Sequence, residues 1–232
     1  MRQACTHVLF DFFGTLVDYS ASRTEQGFER SHDLLRSFGA NLTYEDFLAT
    51  WSQTSAKFDR LSDQDDHEFS MIDVGTAFLT DALGHEPALA DVEAFVAQYV
   101  TEWNTGVRYP AGITELVHKL AGEYRLAVVT NTHQANLVPD HLAAMGLLSS
   151  FDAVITSVEV GWRKPHRKIY ATTLDTLGIQ ASAAVFVGDT YEPDFLGPDR
   201  VGIRAFLIDP QHRAPVPDTS RLPSIFDLPA RL

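Results

Sequence analysis

Asp11 closes the apolar run His7-Val8-Leu9-Phe10, and Gly14 follows three positions later. A carboxylate delivered at the end of a short strand, before a sharp turn, can act as a nucleophile that forms a covalent intermediate with electrophilic phosphorus or carbon. Polar groups stand at the ends of later apolar runs as well. Thr130 and Asn131 follow Leu126-Ala127-Val128-Val129, and Lys164 precedes Pro165 in the loop after Ala153-Val154-Ile155. Asp189 follows Ala184-Val185-Phe186-Val187-Gly188, with Asp194 five residues on. A Gly-Asp pair after one strand is ordinary turn chemistry. A hydroxyl, amide, ammonium or carboxylate after each of four strands in order describes a site.

The elements that must position these groups follow from the hydrophobic pattern. From Tyr109 onward helix and strand alternate: helices over Ile113 to Leu120, Leu137 to Met145 and Lys168 to Leu177, the last ended by Gly178. The strands between them are Leu126 to Thr130, Ala153 to Ile155, Ala184 to Val187 and, as the last, Ala205 to Ile208. Continuous apolar strands separated by helices indicate a parallel sheet covered on both faces, with the first strand in the same sheet. In such a sheet ligands bind beyond the carboxyl ends of the strands, where the polar groups above lie.

Residues from about Ser20 to Asn104 read instead as successive helices. Tyr44, Phe47, Leu48, Trp51, Ser55 and Phe58 share one helical stripe, and Phe28, Leu35 and Phe38 another. Ser22 and Thr43 are placed as N-caps, and Gly39 and Gly84 follow helix ends. Two facing stripes imply a small bundle inserted between the first strand and the rest. The stretch Asp59 to Glu68 reads as a solvated connection, because the glycine and spacing of a calcium loop are missing. The proline-rich tail from Pro210 reads as a surface wrap.

Composition bounds the partners. The 232 residues carry 45% hydrophobic and 21% charged side chains and a net charge of −13, so neither nucleic acid nor an anionic membrane is expected as a partner. An anionic small-molecule substrate would need local cations or a metal to overcome that field. The single cysteine, Cys5, forms no intramolecular disulfide and fits a reducing compartment as a small filler beside the first strand. Met1-Arg2-Gln3 leads into a strand, not a signal-peptide core, and no apolar run has membrane-spanning length, so the cytoplasm is the expected location.

With Asp11-Phe12-Phe13-Gly14-Thr15-Leu16, Val128-Val129-Thr130-Asn131, Lys164-Pro165 and Gly188-Asp189 with Asp194, essentially the whole chain resembles the haloacid dehalogenase superfamily of hydrolases. The branch is the one with a helical cap inserted after the first motif. The resemblance implies an α/β fold, a Rossmann-like parallel sheet covered by helices on both faces, with a catalytic core of residues 1–18 and 108–232 and an α-helical cap of residues 19–107. It implies Asp11 as nucleophile, Thr130 and Asn131 holding the transferring group, and Lys164 neutralising charge on both. It further implies Mg²⁺ held by Asp11, Asp189, Asp194 and the backbone carbonyl of Phe13. The chemistry agrees: Mg²⁺ takes oxygen ligands, and three clustered carboxylates repel unless a divalent cation or Lys164 balances them.

Phe13 departs from the pattern of the phosphatases in that family, where an aspartate at this position protonates the leaving group and then activates water. Such acid–base help is worth roughly 10²–10⁴-fold. Three readings follow. The first is Mg²⁺-dependent hydrolysis of a small phosphorylated compound with a good leaving group, or with the base relocated to Asp18, Glu25 or His133. The second is a 2-haloacid dehalogenase-like enzyme, which tolerates an aromatic ring at position 13 but has no need of Asp189; Arg23, Arg30, Arg36 and Arg60 are its candidate carboxylate grips. The third is a low-turnover protein that binds a phosphometabolite. A phosphonate hydrolase, which would need Lys57 as a Schiff-base lysine, fits less well.

Overall fold

The computed structural model describes residues 5–232, so the Met1-Arg2-Gln3 approach to the first strand lies outside it. The described chain divides into two compact units, one of residues up to Asp18 and from Tyr109 onward, the other Tyr19–Arg108.

The first unit is built on a six-stranded sheet. Its strands are β1 (His7–Phe10), β2 (Arg125–Thr130), β3 (Ala153–Thr156), β4 (Ala184–Gly188), β5 (Arg204–Ile208) and β6 (Arg221–Leu222). They lie in the order β3-β2-β1-β4-β5-β6, and every pairing is parallel. Phe10 is in register with Val128 on one side and Val187 on the other, so Asp11 emerges between the ends of β2 and β4. Helices α5 (Ile113–Ala121), α6 (Leu137–Ala144), α7 (Ser157–Val160), α8 (Arg167–Leu177) and α9 (Gly197–Arg200) make the crossovers. Leu9, Val128, Val129, Phe186 and Val187 are fully buried, as strands covered on both faces must be. The strand order reverses between β1 and β4, the switch point at which open parallel sheets leave a crevice.

The second unit holds α1 (Glu29–Ser37), α2 (Tyr44–Ser62), α3 (Met71–Leu83) and α4 (Leu89–Trp103). Local chemistry sets most of their ends. Thr43 caps α2 by accepting the Asp46 N–H, Ser70 and Asp73 form a reciprocal capping box on α3, and Gly84 ends α3 in a left-handed conformation. Trp51, Phe78 and Phe95 meet with ring centroids 5.2–5.5 Å apart at the centre of the unit. Such pairs are worth about 0.5–1.5 kcal/mol each beyond their burial.

Four sequence expectations are corrected here. Ser22 caps no helix: its hydroxyl accepts the Thr24 N–H in a local turn, and α1 starts only at Glu29. With Phe28 before it unable to cap, α1 takes its cap from α4, where Glu102 accepts the Arg30 and Ser31 N–H groups and the Ser31 hydroxyl at 2.5–2.9 Å. The Asp59 to Glu68 stretch is not simply a solvated connection, since α2 runs on to Ser62, Asp59 pairs with Arg23 and Glu68 is buried. Ala205 to Ile208 is not the last strand, because β6 extends the sheet. The tail from Pro210 is not merely a surface wrap: Val216, Leu222, Ile225 and Leu228 are buried core residues. A two-residue strand and scattered single anchors carry no periodicity for a sequence to display.

Candidate active site

The turn after β1 is held by its own backbone. The Leu16 and Val17 N–H groups donate to the Phe12 carbonyl at 2.9 and 3.2 Å, and the Gly14 N–H donates to Val17. This fixes Asp11 at the mouth of the switch-point crevice, where it is buried and its Oδ2 faces the Thr15 hydroxyl at 3.5 Å. Gly14 sits at φ +84, and a Cβ there would stand 2.3 Å from Asp189 Oδ2. A Cβ on Gly188 would lie 2.3 Å from Asp194 Cγ. These two glycines thus let the carboxylates from β4 close onto Asp11.

Lys164 is the centre of the charge arrangement. Its ammonium, buried, donates to Asp11 Oδ1 and Asp194 Oδ1, both at 2.7 Å. Burial alone would disfavour its charge, but the two carboxylates outweigh that and hold its pKa above the ordinary lysine value. Oxygen atoms of Asp11, Asp189 and Asp194 all lie within 4.8 Å of one another. Asp194 is buried in the wide turn after β4, where its Oδ2 accepts the Thr190 N–H at 2.9 Å. Burial pushes the Asp194 carboxyl up to about 7, with Lys164 opposing the rise and Asp11 adding to it. Asp189 is pushed up to about 6, first by burial of its carboxyl and then by the Asp11 charge.

Three carboxylates against one ammonium leave surplus negative charge among hard oxygen donors. That donor set fits a hard divalent cation such as Mg²⁺, and it is the one such cluster among the described residues.

The Asn131 side chain is turned to the backbone of Lys164. Its Oδ1 accepts the Lys164 N–H at 2.7 Å and its Nδ2 donates to the Lys164 carbonyl at 2.9 Å, so both side-chain polar atoms are committed to the lysine's backbone. The side chain thus helps set where the Lys164 backbone stands. The Lys164–Pro165 peptide it grips is cis. Thr130 is buried at the end of β2. The Phe13 ring is packed edge-on against Phe12 at 5.0 Å and against His141 at 6.2 Å. His141 in turn is hydrogen-bonded to the Tyr109 hydroxyl at 2.9 Å, and burial lowers its pKa. Neither His141 nor Tyr109 was marked by its sequence context; a histidine on a helix face carries no signal of what it packs on.

Of the other sequence candidates, Asp18 and Glu25 are exposed and His133 is half-buried just before α6. Arg30, Arg36, Arg60 and Lys57 are exposed in the helical unit, whereas Arg23 is bound to Asp59 through both terminal nitrogens at 2.5 and 3.1 Å. Cys5 donates to the His7 carbonyl and burial pushes its thiol up, as for an inert filler.

A family model described as haloacid dehalogenase-like hydrolase matches residues 8–208. The chain belongs to the haloacid dehalogenase-like hydrolases. Among curated relatives of the chain, haloacid dehalogenase-like hydrolase domain-containing protein 3 of Homo sapiens is 36% identical over 110 residues, 45% of this chain and 43% of that one. Glyceraldehyde 3-phosphate phosphatase of Methanothermobacter thermautotrophicus is 31% identical over 101 residues, 44% of each chain. Each match therefore spans less than half of the relative's length. Among solved structures, the HAD-hydrolase YfnB of Bacillus subtilis superposes with a TM-score of 0.67 at 19% identity, covering 97% of both chains, which shows a shared fold. No helix among the described residues is long and apolar enough to cross a membrane.

Proposed function

We propose that this enzyme hydrolyses a small phosphorylated compound through attack of Asp11 on phosphorus, with Mg²⁺ held by Asp11, Asp189, Asp194 and the Phe13 carbonyl. The observation that carries the reading is the convergence of those three carboxylates within 4.8 Å, with Lys164 bridging two of them. The phosphatase among its relatives and the magnesium bound in YfnB lie in the same direction.

An Asp11 oxygen forms a bond to phosphorus as the bond to the leaving oxygen breaks, and water then releases phosphate and restores Asp11. Bound Mg²⁺ would screen Asp11 from the anionic phosphoryl group. Lys164 neutralises charge on Asp11 and on the group it attacks, held in place by Asn131. Thr130 contributes a hydroxyl at the neighbouring strand end. Phe13 supplies no proton, so the leaving group departs without acid help from this position, which favours acyl phosphates and other good leaving groups. In this reading the helical unit acts as the cap that selects the substrate.

The test is phosphate release from alkyl phosphate esters and acyl phosphates, with Mg²⁺ and with chelator, by wild type and Phe13→Asp. Wild type is expected to release phosphate from acyl phosphates only with the metal. Phe13→Asp is expected to gain about 10²-fold or more on alkyl esters, the scale of general acid–base catalysis. Halide release from 2-haloacids by a wild type that releases no phosphate would replace this reading with the dehalogenase one.

A further inference from the structure

An open cavity of about 560 Å³ lies beside Asp189 and Gly14, within the sheet unit. Its far lining comes from the loop after β5, through Asp209, Gln211, Arg213 and Ala214, and Tyr191 borders it from the turn after β4. The volume is that of a small-ligand pocket. We propose that this groove holds the non-reacting end of the substrate, and that Arg213 binds a second anionic group there. The proposal rests on the phosphoryl-transfer reading of the adjoining carboxylates.

The loop is a fixed wall, and its own structure leaves Arg213 unbalanced. Asp209 is buried, and its Oδ1 accepts the Arg213 N–H at 3.0 Å while its Oδ2 accepts the Ala214 N–H at 2.9 Å and is paired with the Arg221 guanidinium. Arg221 also donates to the Ala214 and Val216 carbonyls at 3.0 and 2.9 Å. The backbone of the loop is thus pinned from beneath, and the Asp209 charge is already paired with Arg221. The Arg213 guanidinium forms no ion pair among the described residues. Once Asp189 is committed to a metal, Arg213 is the surplus charge of the groove, and in a chain of net charge −13 a lone guanidinium at a pocket wall selects an anion. A guanidinium fork matches the paired oxygens of a carboxylate or phosphate. Gln211 and Tyr191 line the same groove.

The test compares 3-phosphoglycerate with glycerol 3-phosphate, which differ in a carboxylate against a hydroxymethyl group, using the full chain with Mg²⁺. The expected result is that wild type prefers 3-phosphoglycerate in kcat/KM, and that Arg213→Ala lowers this preference about tenfold, the scale of one charge-assisted hydrogen bond. Arg213→Lys should recover part of it, and Lys119→Ala, an exposed cation on α5, should leave it unchanged. Should wild type release phosphate from neither alkyl ester while still releasing it from acyl phosphates, the phosphoryl-transfer reading stands, and calorimetric titration of the same two compounds then reads the groove by itself; release from none of them, acyl phosphates included, counts against that reading. A 3-phosphoglycerate preference in binding that Arg213→Ala removes supports the groove. Equal preference in wild type and Arg213→Ala, by rate or by binding, or no binding of either compound, overturns it.

Discussion

Asp189 and Asp209 each stand one residue beyond the end of a strand, β4 and β5, in the same parallel sheet, and their carboxyl groups are shifted in opposite directions. Asp209 is held below the usual carboxylate range by the Ala214 and Arg213 N–H groups, with Arg221 adding to the effect. Asp189, pushed up to about 6 by burial and by Asp11, has among the described residues only the Thr190 hydroxyl at 3.3 Å as a side-chain partner. One carboxylate is surrounded by donors and ties down a loop. Its neighbour is set among like charges, with Asp194 and Asp11, and faces few donors. A carboxylate's position in the fold is therefore a weaker guide to its role than the number of donors facing it.

That contrast can be broken by exchanging the consequences of mutation. Asp189→Asn keeps the shape and removes one repelling charge. Turnover is expected to fall by about 10²-fold or more, as when a group stabilising transition-state charge is lost, while thermal unfolding in chelator stays level or moves upward. A lower Tm with intact phosphate release would reverse the assignment. Arg221→Ala should do the opposite and leave Asp209 without its guanidinium. A drop of several degrees in Tm is expected, about 4 °C or less per kcal/mol for a chain of this size, with a loss of turnover far smaller than at Asp189. Equal losses of turnover in the two variants would erase the distinction.

The smallest effect concerns pH. Because the folded-state pKa values of Asp194 and Asp189 lie above the ordinary carboxylate value, the metal-free folded state holds protons that the unfolded chain has released. These groups favour folding most fully below about pH 4, and that contribution is lost as pH rises to about 7. Metal binding to the ionised form runs against the same protons. The rise in Tm given by Mg²⁺ over chelator should therefore be larger at pH 8 than at pH 5.5, where a hundred times Kd corresponds to a stabilisation of about 2.7 kcal/mol at the pH whose Kd is used. Asp194→Asn should flatten the slope of Tm against pH between pH 4 and 7 in chelator. An Mg²⁺ increment that is the same at both pH values would show that these carboxylates are not where the metal acts.

Much of the sheet was legible because buried parallel strands are continuous apolar runs, and each run here ends in a polar residue that marks its boundary. Leu126 to Thr130 and Ala184 to Gly188 are found where that pattern puts them. The grouping of Asp11, Lys164, Asp189 and Asp194 was legible for a related reason: parallel strands put all their carboxyl ends on one edge. The side-chain contacts of Asn131 were not legible, because a side-chain amide after a strand looks the same whether it faces a ligand or, as here, a neighbouring loop's backbone. The start of α1 was hidden because its capping carboxylate, Glu102, comes from α4, 71 residues from Ser31 in sequence.

The sequence by itself determined the alternation of strands and helices, the helical insertion and the chemical types delivered to the strand ends, because these follow from local periodicity and chain order. Tertiary structure alone decided which of those groups are short of partners. Asp189 and Asp209 are the same residue at the same place after a strand. The loop that folds back to supply donors to Asp209, and the two carboxylates that crowd Asp189, exist only once distant segments meet.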